Sequence, residues 1–318
     1  MTEIAVVEGD GIGKEVIPVA VESLKILRPD LDFFPVTVGY ERWKITGTAI
    51  SDEDITLLKR ADAILFGAVT TPPFKEYYSV VIKIRKSLDL YANVRPVKTD
   101  NVDIIIVREN TEGLYSGIEW EEEDRSCTLR VITRKGATRI ARFACNIVSS
   151  RKLLTIGHKA NVMKSDYFFL TICRNMAGSM NVPVNDQFID SLALNLLLQP
   201  RKYDVILTTN MFGDILSDIA AFHTNGLGMT PSANIGDNHA LFEPVHGSAP
   251  DIAGKGIANP VAALRSAVLM LEYLKDFESA KKLDSAIGHT ISSGVKTPDI
   301  GGNATTDSFA HSLLKELS

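Results

Sequence analysis

Nowhere in this sequence do lysines and arginines gather densely enough to follow a phosphate backbone, and the formal net charge is −5. Nucleic acid is therefore excluded as the main partner. No uncharged apolar run approaches the roughly 20 residues that cross a bilayer, and the N-terminus lacks the basic and apolar regions of a signal peptide. A cytoplasmic protein with no membrane partner is expected. Cysteine is scarce: Cys127, Cys145 and Cys173 lie far apart with no CxxC spacing. That excludes a cysteine zinc site or a disulfide frame and predicts reduced thiols. Internal repeats and low-complexity linkers are also missing.

What is present is ordinary globular material, 318 residues with 45% hydrophobic and 23% charged content, enough for one large or two modest domains. Short apolar runs (Ile4–Val7, Ala63–Phe66, Val102–Val107, Leu153–Ile156, Val205–Thr208) alternate with segments of helical period (Val16–Leu27, Val80–Leu88, Ala137–Ser149, Tyr167–Met176, Ile215–Phe222). That order predicts an α/β fold with substantial parallel sheet. Ser126–Thr133 (SCTLRVIT) breaks the pattern, alternating like a strand with no clear crossover helix before it. It reads as an edge strand or an arm exchanged with a partner. Proline and glycine cluster over 226–260, where long loops rather than regular elements are expected.

EGDGIG, residues 8–13, follows the first apolar run where a dinucleotide loop would sit. Its glycines are Gly9, Gly11 and Gly13, and Lys14 occupies the place of the last glycine of G-x-G-x-x-G. The spacing favours a tight strand-to-helix turn lining a cleft over direct phosphate cradling. Arg85, Arg95 and Arg108 come from three neighbouring elements, Arg95 capping an apparent strand and Arg108 ending another. Strand ends at the carboxyl edge of a parallel sheet are where α/β proteins bind ligands, and guanidinium pairs carboxylates in bidentate fashion. Three converging arginines suit a di- or tricarboxylate; solvated surface charge is the plain alternative.

In NMFGDILSDIAA, Asp214 and Asp218 stand at i and i+4, on one face of a helix. Their carboxylates can clasp a hard divalent cation such as Mg²⁺ or Mn²⁺, or merely line an exposed acidic face. Asp190, opening a helical segment after QFI, is a third candidate ligand or a plain N-cap. Tyr115 (NTEGLYSG) and Lys159 (GHKANVMK) are potential proton carriers, though each alone equally suits a structural role. The same ambiguity holds for His158 and His246. In LFEPVHGSAPDIAGKGIANP, small residues around His246-Gly247-Ser248-Ala249-Pro250 let backbone amides approach a phosphate or a ring, or simply form a long surface loop. Asp251 could accept hydrogen bonds from a ribose diol and would repel a 2′-phosphate, which favours NAD over NADP.

LDLYANVRPV, VRENTEGLYSG, HKANVMK, NMFGDILSD, PSANIGD and LFEPVHGSAPDIAGKGIANP occur in this order. Together they resemble the β-decarboxylating dehydrogenases, which comprise isocitrate, homoisocitrate and 3-isopropylmalate dehydrogenases. The resemblance runs from EGDGIG to the C-terminal TPDIGGNATT. It implies a non-Rossmann fold of two α/β domains sharing a long sheet, with the cleft between them. Residues 1–99 plus 224–318 would form the cofactor-side domain. Residues 100–223 would form the second domain, with the dimer interface and a clasp arm at about 120–134. It also implies a homodimer, or a higher oligomer built on it, with shared active sites.

By the same resemblance, Arg85, Arg95 and Arg108 look like the clamp on the malate carboxylates. Tyr115 looks like the acid that protonates carbon after CO₂ loss. Lys159, with Asn161, looks like the group reaching in from the partner subunit, the lysine helping to take the C2 hydroxyl proton. Asp214 and Asp218, with Asp190 from the partner, look like ligands of Mg²⁺ or Mn²⁺. His246, Gly247, Ser248, Ala249, Pro250, Asp251, Ile252, Asn259 and Asp299 look like the NAD site. EGDGIG then becomes a turn in the cleft wall near the adenosine side.

The substrate is expected to be a 3-substituted malate. Within TTPPFKEYYSVVIKIRK, Ser79 resembles the serine that meets the extra carboxylate of isocitrate, and TTPP and NTEG resemble isocitrate and homoisocitrate enzymes. Val81 and Ile82 are apolar where such enzymes often carry a polar residue, and an isopropyl group would suit them. The balance favours isocitrate or homoisocitrate; the alternative is a 3-isopropylmalate dehydrogenase of leucine biosynthesis, followed by D-malate or tartrate. A non-catalytic regulatory subunit is a further alternative, opposed by intact Tyr115, Lys159, Asp190, Asp214 and Asp218. Two local departures, the short KSDYFF after the lysine motif and the abbreviated TDN join, remove none of these residues.

Overall fold

The computed structural model describes residues 2–73 and 76–318; Phe74 and Lys75 of TTPPFKEYYSVVIKIRK lie outside the described residues. The chain divides into two compact units: Met1–Leu88 with Asn225–Ala233 and Asp237–Ser318, and Asp89–Thr224 with Asn234–Gly236. The sequence expectation put the first boundary at 99/100; here it falls at Leu88/Asp89.

In chain order the first unit begins with β1 (Thr2–Gly9), α1 (Gly13–Leu27), β2 (Leu31–Pro35), α2 (Tyr40–Thr46), α3 (Asp52–Arg60), β3 (Ala63–Ala68) and α4 (Val80–Ser87). The second unit holds β4 (Ala92–Lys98), β5 (Asp103–Glu109), β6 (Glu119–Glu121), β7 (Ser126–Thr128), α5 (Arg134–Val148), β8 (Leu154–His158), α6 (Lys164–Ser179), β9 (Val184–Phe188), α7 (Ile189–Leu198), β10 (Val205–Thr208) and α8 (Asn210–Ala220). Then come β11 (Pro231–Ile235), β12 (Ala240–Pro244), α9 (Val261–Tyr273), α10 (Phe277–Ser292) and α11 (Thr306–Leu317). A mixed ten-stranded sheet has the order β2-β1-β3-β12-β11-β4-β5-β10-β8-β9, and β6 and β7 form a separate hairpin. The α/β expectation with extensive parallel pairing holds, β1–β3, β5–β10 and β8–β10 all running parallel.

Two expectations change. The 226–260 region is not all loop, because PSANI and ALFEP form β11 and β12. Proline is tolerated at the first or last residue of a strand, and buried Ser232 and Asn234 disguise β11 as a polar turn. SCTLRVIT is a regular strand only over Ser126–Thr128. Beyond that, Leu129 and Val131 still pair with Ile118 and Gly113, and the Thr133 hydroxyl caps α5 by accepting the Gly136 amide.

The second unit is covered on both faces, and its period-two alternation decides where the chemistry sits. On β5, Ile105 and Val107 pack with α5 and α6 residues such as Ala141, Cys145, Phe169 and Cys173. Ile104 and Ile106 pack the other way, with Leu192, Leu196, Leu216 and Ala220 of α7 and α8. Arg108, two residues after Ile106, must share the α8 face. In the antiparallel β4–β5 register, Arg95 lies opposite Ile106 and Asn93 opposite Arg108. Directly opposed residues share a face, so Asn93, Arg95 and Arg108 all project towards α8.

At the opposite end of these strands, Arg151 pairs with Asp103 and Asp204 at 2.6 and 2.7 Å. The Asp204 carboxylate also accepts the Lys152 and Leu153 amides. Burial pushes the Asp204 carboxyl up, but these amides and Arg151 more than offset it and leave it below its ordinary value. A lowered folded pKa is stabilising above the unfolded value, and the contribution disappears as pH falls through the folded one. Asp204→Asn is expected to lose about 1–2 kcal/mol at neutral pH, a gap to wild type that holds down to about pH 4 and narrows as urea denaturation is repeated at successively lower pH below it. A gap that stays constant over that lower range contradicts the assignment.

Candidate active site

The α8 face of β4 and β5 carries a buried cationic pair. Arg108 is 1% exposed and donates from Nη1 to Asp214 Oδ1 at 2.6 Å. Arg95 donates from Nη2 to the same oxygen at 3.1 Å, and its Nη1 stands 3.8 Å from Asp218 Oδ1. The Arg95 fork is aimed by neighbours: Nε donates to Asn93 Oδ1 at 2.8 Å and Nη1 donates to the Ser217 hydroxyl. Arg95 does not cap a strand, as the sequence suggested; it sits inside β4, which runs antiparallel to β5.

Asp214 and Asp218 lie one turn apart on α8, as the i,i+4 spacing requires. The Asp218 carboxyl is raised, by the surrounding protein's displacement of water first and by Asp214 as well, against the pull of Arg95 and Arg108. With 59% of the side chain exposed, solvent screens much of that effect. Two carboxylates one turn apart, with oxygen donors only, suit a hard divalent cation. Among the described residues no three His, Cys, Asp or Glu side chains form a metal cage, so Asp190 does not join this pair within the chain.

Tyr115 stands on a short 3₁₀ turn, Leu114–Ser116. Its ring lies 5.2 Å from the Arg108 guanidinium and its hydroxyl donates to Asp214 Oδ2 at 3.3 Å. Sequence reasoning passed over Glu109, which shapes the approach to this turn. Its buried carboxylate accepts the Thr111 amide and hydroxyl and the Glu112 amide. A carboxylate collecting consecutive amides is a local signal that the VRENTEG string does contain.

Lys159 and Asp190 form a second cluster in the same unit, an ion pair at 2.7 Å. The Lys159 ammonium, foremost, holds the Asp190 carboxyl below its ordinary value. Asp190 is not an N-cap; it is the second residue of α7. Asn161 is exposed in the turn after β8. His158 is structural: Nδ1 accepts the Ala160 amide and Nε2 donates to Asp186 at 3.0 Å, which aims the chain into the Lys159 turn.

In the first unit, Arg85 lies in the last turn of α4, and its Nη2 donates to Glu243 Oε1 on β12 at 2.9 Å. Among the described residues its buried Nε has no hydrogen-bond partner. Of the three arginines expected to form a clamp, Arg95 and Arg108 meet within the second unit, and Arg85 belongs to the first. Ser79 precedes α4, and its hydroxyl makes no capping bond; Val81 and Ile82 are half-buried on the same helix.

HGSAPDI follows β12, and EGDGIG packs against it. The Ile12 amide donates to the Ser248 carbonyl at 3.0 Å, and the Thr70 and Ser248 hydroxyls meet at 2.7 Å. Gly11 has φ +57°, and a Cβ there would lie 2.1 Å from the Ser248 carbonyl oxygen. Gly9, at φ +75°, meets the Ala68 carbonyl in the same way. These glycines admit protein backbone. Between them Asp10, which sequence reasoning did not single out, is buried and accepts the amides of Tyr40, Glu41 and Thr70.

Ala249 is held at φ +39°, a left-handed conformation that costs a non-glycine residue about 1–3 kcal/mol and tends to occur at ligand clamps. His246 is kept below its ordinary pKa by burial first, against its Gly247 contact and Asp299. Its Nδ1 meets the Gly247 carbonyl at 2.9 Å and must donate there, which leaves Nε2 an acceptor. That buried Nε2 has no partner among the described residues, an opening that an adenine amino group fits. Asn259 donates to Asp299 at 2.9 Å, so these two predicted cofactor residues meet. Gly247, Pro250 and Asp251 are exposed along this loop, and Ile252 is half-buried.

Over residues 3–313 the sequence matches the family described as isocitrate/isopropylmalate dehydrogenase. A 3-isopropylmalate/3-methylmalate dehydrogenase from Methanocaldococcus jannaschii is 45% identical, covering 100% of this chain and 99% of the relative. An isocitrate/homoisocitrate dehydrogenase from Thermus thermophilus is also 45% identical, covering 99% of this chain and 98% of the relative. The crystal structure of a β-decarboxylating dehydrogenase from Thermococcus kodakarensis matches with a TM-score of 0.90 at 44% identity, covering 100% and 96%.

Proposed function

Since this chain belongs to the isocitrate/isopropylmalate dehydrogenase family and is a β-decarboxylating dehydrogenase, we propose that its substrate is isocitrate or homoisocitrate, with NAD and Mg²⁺ or Mn²⁺. The observation that carries the chemistry is the convergence of Arg95, Arg108 and Tyr115 on Asp214, one turn from Asp218. When bound, the nicotinamide supplies a two-electron acceptor and the divalent cation a Lewis acid.

Arg95 and Arg108 bind the malate carboxylates, exchanging their contacts with Asp214 for contacts with substrate, and Asp214 with Asp218 would hold the cation. Arg85, steadied by Glu243, adds a third guanidinium. Lys159, once its ammonium has given up a proton, helps to take the C2 hydroxyl proton, and Asn161 orients the substrate beside it. After CO₂ departs, the Tyr115 hydroxyl gives its proton to the carbon left behind. His246 to Ile252, with Asn259 and Asp299, hold NAD, and Asp251 accepts from the ribose diol.

The working unit in this proposal is a homodimer in which Lys159, Asn161 and Asp190 of one copy serve the other, with the 120–134 hairpin as clasp. In support, α7, α8 and the turn after them leave Leu198 66% and Phe222 72% exposed, beside exposed Leu194 and Ile215, an apolar face suited to a second copy. A cytoplasmic setting agrees with three free cysteines, two of them buried.

Identity to the relatives is equal on both sides of the substrate question, so the assignment to isocitrate or homoisocitrate leans on Ser79, whose hydroxyl is not used to cap α4. Half-buried Val81 and Ile82 favour 3-isopropylmalate as the second reading. The test compares kcat/KM for isocitrate, homoisocitrate, 3-isopropylmalate and D-malate, with NAD and with NADP, in Mg²⁺ or Mn²⁺. One of the first two with NAD should lead, and Ser79→Ala should lower that value about tenfold while sparing 3-isopropylmalate. A lead for 3-isopropylmalate overturns the substrate assignment, and a lead under NADP overturns the role of Asp251.

A further inference from the structure

Arg130 comes from the irregular end of SCTLRVIT and is drawn almost wholly inside the second unit, 13% exposed. Its guanidinium meets side chains of two elements, α6 and the start of α8, at once. Nη2 lies 2.5 Å from Asp166 Oδ1 and donates to the Thr209 hydroxyl at 3.0 Å, while Nη1 donates to the Ser165 hydroxyl at 3.0 Å. The plane also lies 5.4 Å from the Phe212 ring.

Each contact leads towards the chemistry. Asp166, in the first turn of α6, is fully buried, and its second oxygen accepts the Lys159 backbone amide at 2.6 Å. Thr209 is the N-cap residue of α8, and Phe212 lies in its first turn, just before Asp214. One planar fork therefore ties the turn that presents Lys159 to the helix that presents Asp214 and Asp218. Lysine in its place would supply charge without the fork geometry needed to meet two hydroxyls and a carboxylate together.

We propose that Arg130 is a positioning residue that fixes the Lys159 turn and the start of α8 relative to each other. Resting on the roles proposed above for Lys159, Asp214 and Asp218, this makes Arg130 a residue whose loss slows the reaction without touching substrate. Misplacement of reacting groups by about 1 Å suffices for a loss of about 100-fold.

The test follows backbone amide exchange in the full-length protein, without substrate or metal, together with steady-state kinetics. In Arg130→Met, exchange over 159–166 and over 209–216 should both rise about tenfold while other core segments stay near wild type. The kcat should fall about 10–100-fold with KM moving less than about threefold, and Arg130→Lys should recover part of that loss. Thr209→Val keeps the volume and removes one acceptor, and it carries the test if Arg130→Met does not fold. Exchange over 159–166 should rise in it too, although that segment lies far from Thr209 in sequence. Faster exchange at 209–216 alone, or exchange raised evenly through the core, overturns the proposal. Coupled exchange in a protein silent on every 3-substituted malate would refute the proposed function and leave the tie intact, whereas normal turnover without the coupling would do the reverse.

Discussion

Asp214→Asn is expected to lower kcat/KM about 1,000-fold, the scale of removing one preorganised electrostatic group from a reacting centre. Asp214 accepts from Arg108 and Arg95 through one oxygen and from Tyr115 through the other. Asparagine keeps a carbonyl for one of these contacts and loses the charge that, in the proposed role, would hold a divalent cation beside Asp218. Because the Asp214 side chain is 44% exposed, the loss of folding stability should stay within about 1 kcal/mol. The two effects separate in one pair of measurements. Added Mn²⁺ should raise the melting temperature of the wild type, through its binding to the folded state alone, and leave that of the variant unmoved. A variant within tenfold of wild-type kcat/KM, or one that Mn²⁺ still stabilises, removes Asp214 from the metal site.

Tyr115→Phe is the second large effect, a fall of about 100- to 1,000-fold in kcat with little change in KM. Phenylalanine preserves the ring against the Arg108 guanidinium, at 5.2 Å in the native protein, so the clamp should survive and only the hydroxyl proton is lost. Hydride transfer precedes the step that needs this proton. The variant should therefore form about one NADH per site in a rapid first phase and then turn over slowly. Full kcat, or a slow phase with no rapid NADH formation, means that Tyr115 does not supply the proton after CO₂ loss.

Much of this is legible in the sequence alone. The alternation of apolar runs and helical segments anticipated β1, β3, β5, β8 and β10 and their helices, because buried parallel strands read as continuous apolar runs. The D-x-x-x-D spacing sets two carboxylates one turn apart on any helix, and α8 is a helix. EGDGIG failed the Rossmann spacing, and the contacts of Gly9 and Gly11 with the Ala68 and Ser248 carbonyls give that failure its physical content. Other features were hidden. β11 is a buried strand written in proline, serine and asparagine, so hydropathy alone reads it as turn. Asp10 looks like an ordinary acidic residue until it is found collecting the amides of Tyr40, Glu41 and Thr70, which become adjacent only in the folded chain, and Asp166 until it is found between the Lys159 amide and Arg130.

By itself, the sequence determined the residue types, the local elements that carry them and the family to which the chain belongs. Each depends on neighbours within a turn or on strings long enough to be specific. Tertiary structure alone decided that Arg95 and Arg108 point at the same carboxylate, because that depends on the antiparallel register of β4 on β5. Tertiary structure also set Lys159 against Asp190 and joined the Lys159 turn to α8 through Arg130. Hydrogen bonds and ion pairs act over about 3 Å, and which residues come that close is settled by strand register and helix packing, across separations that no local pattern records.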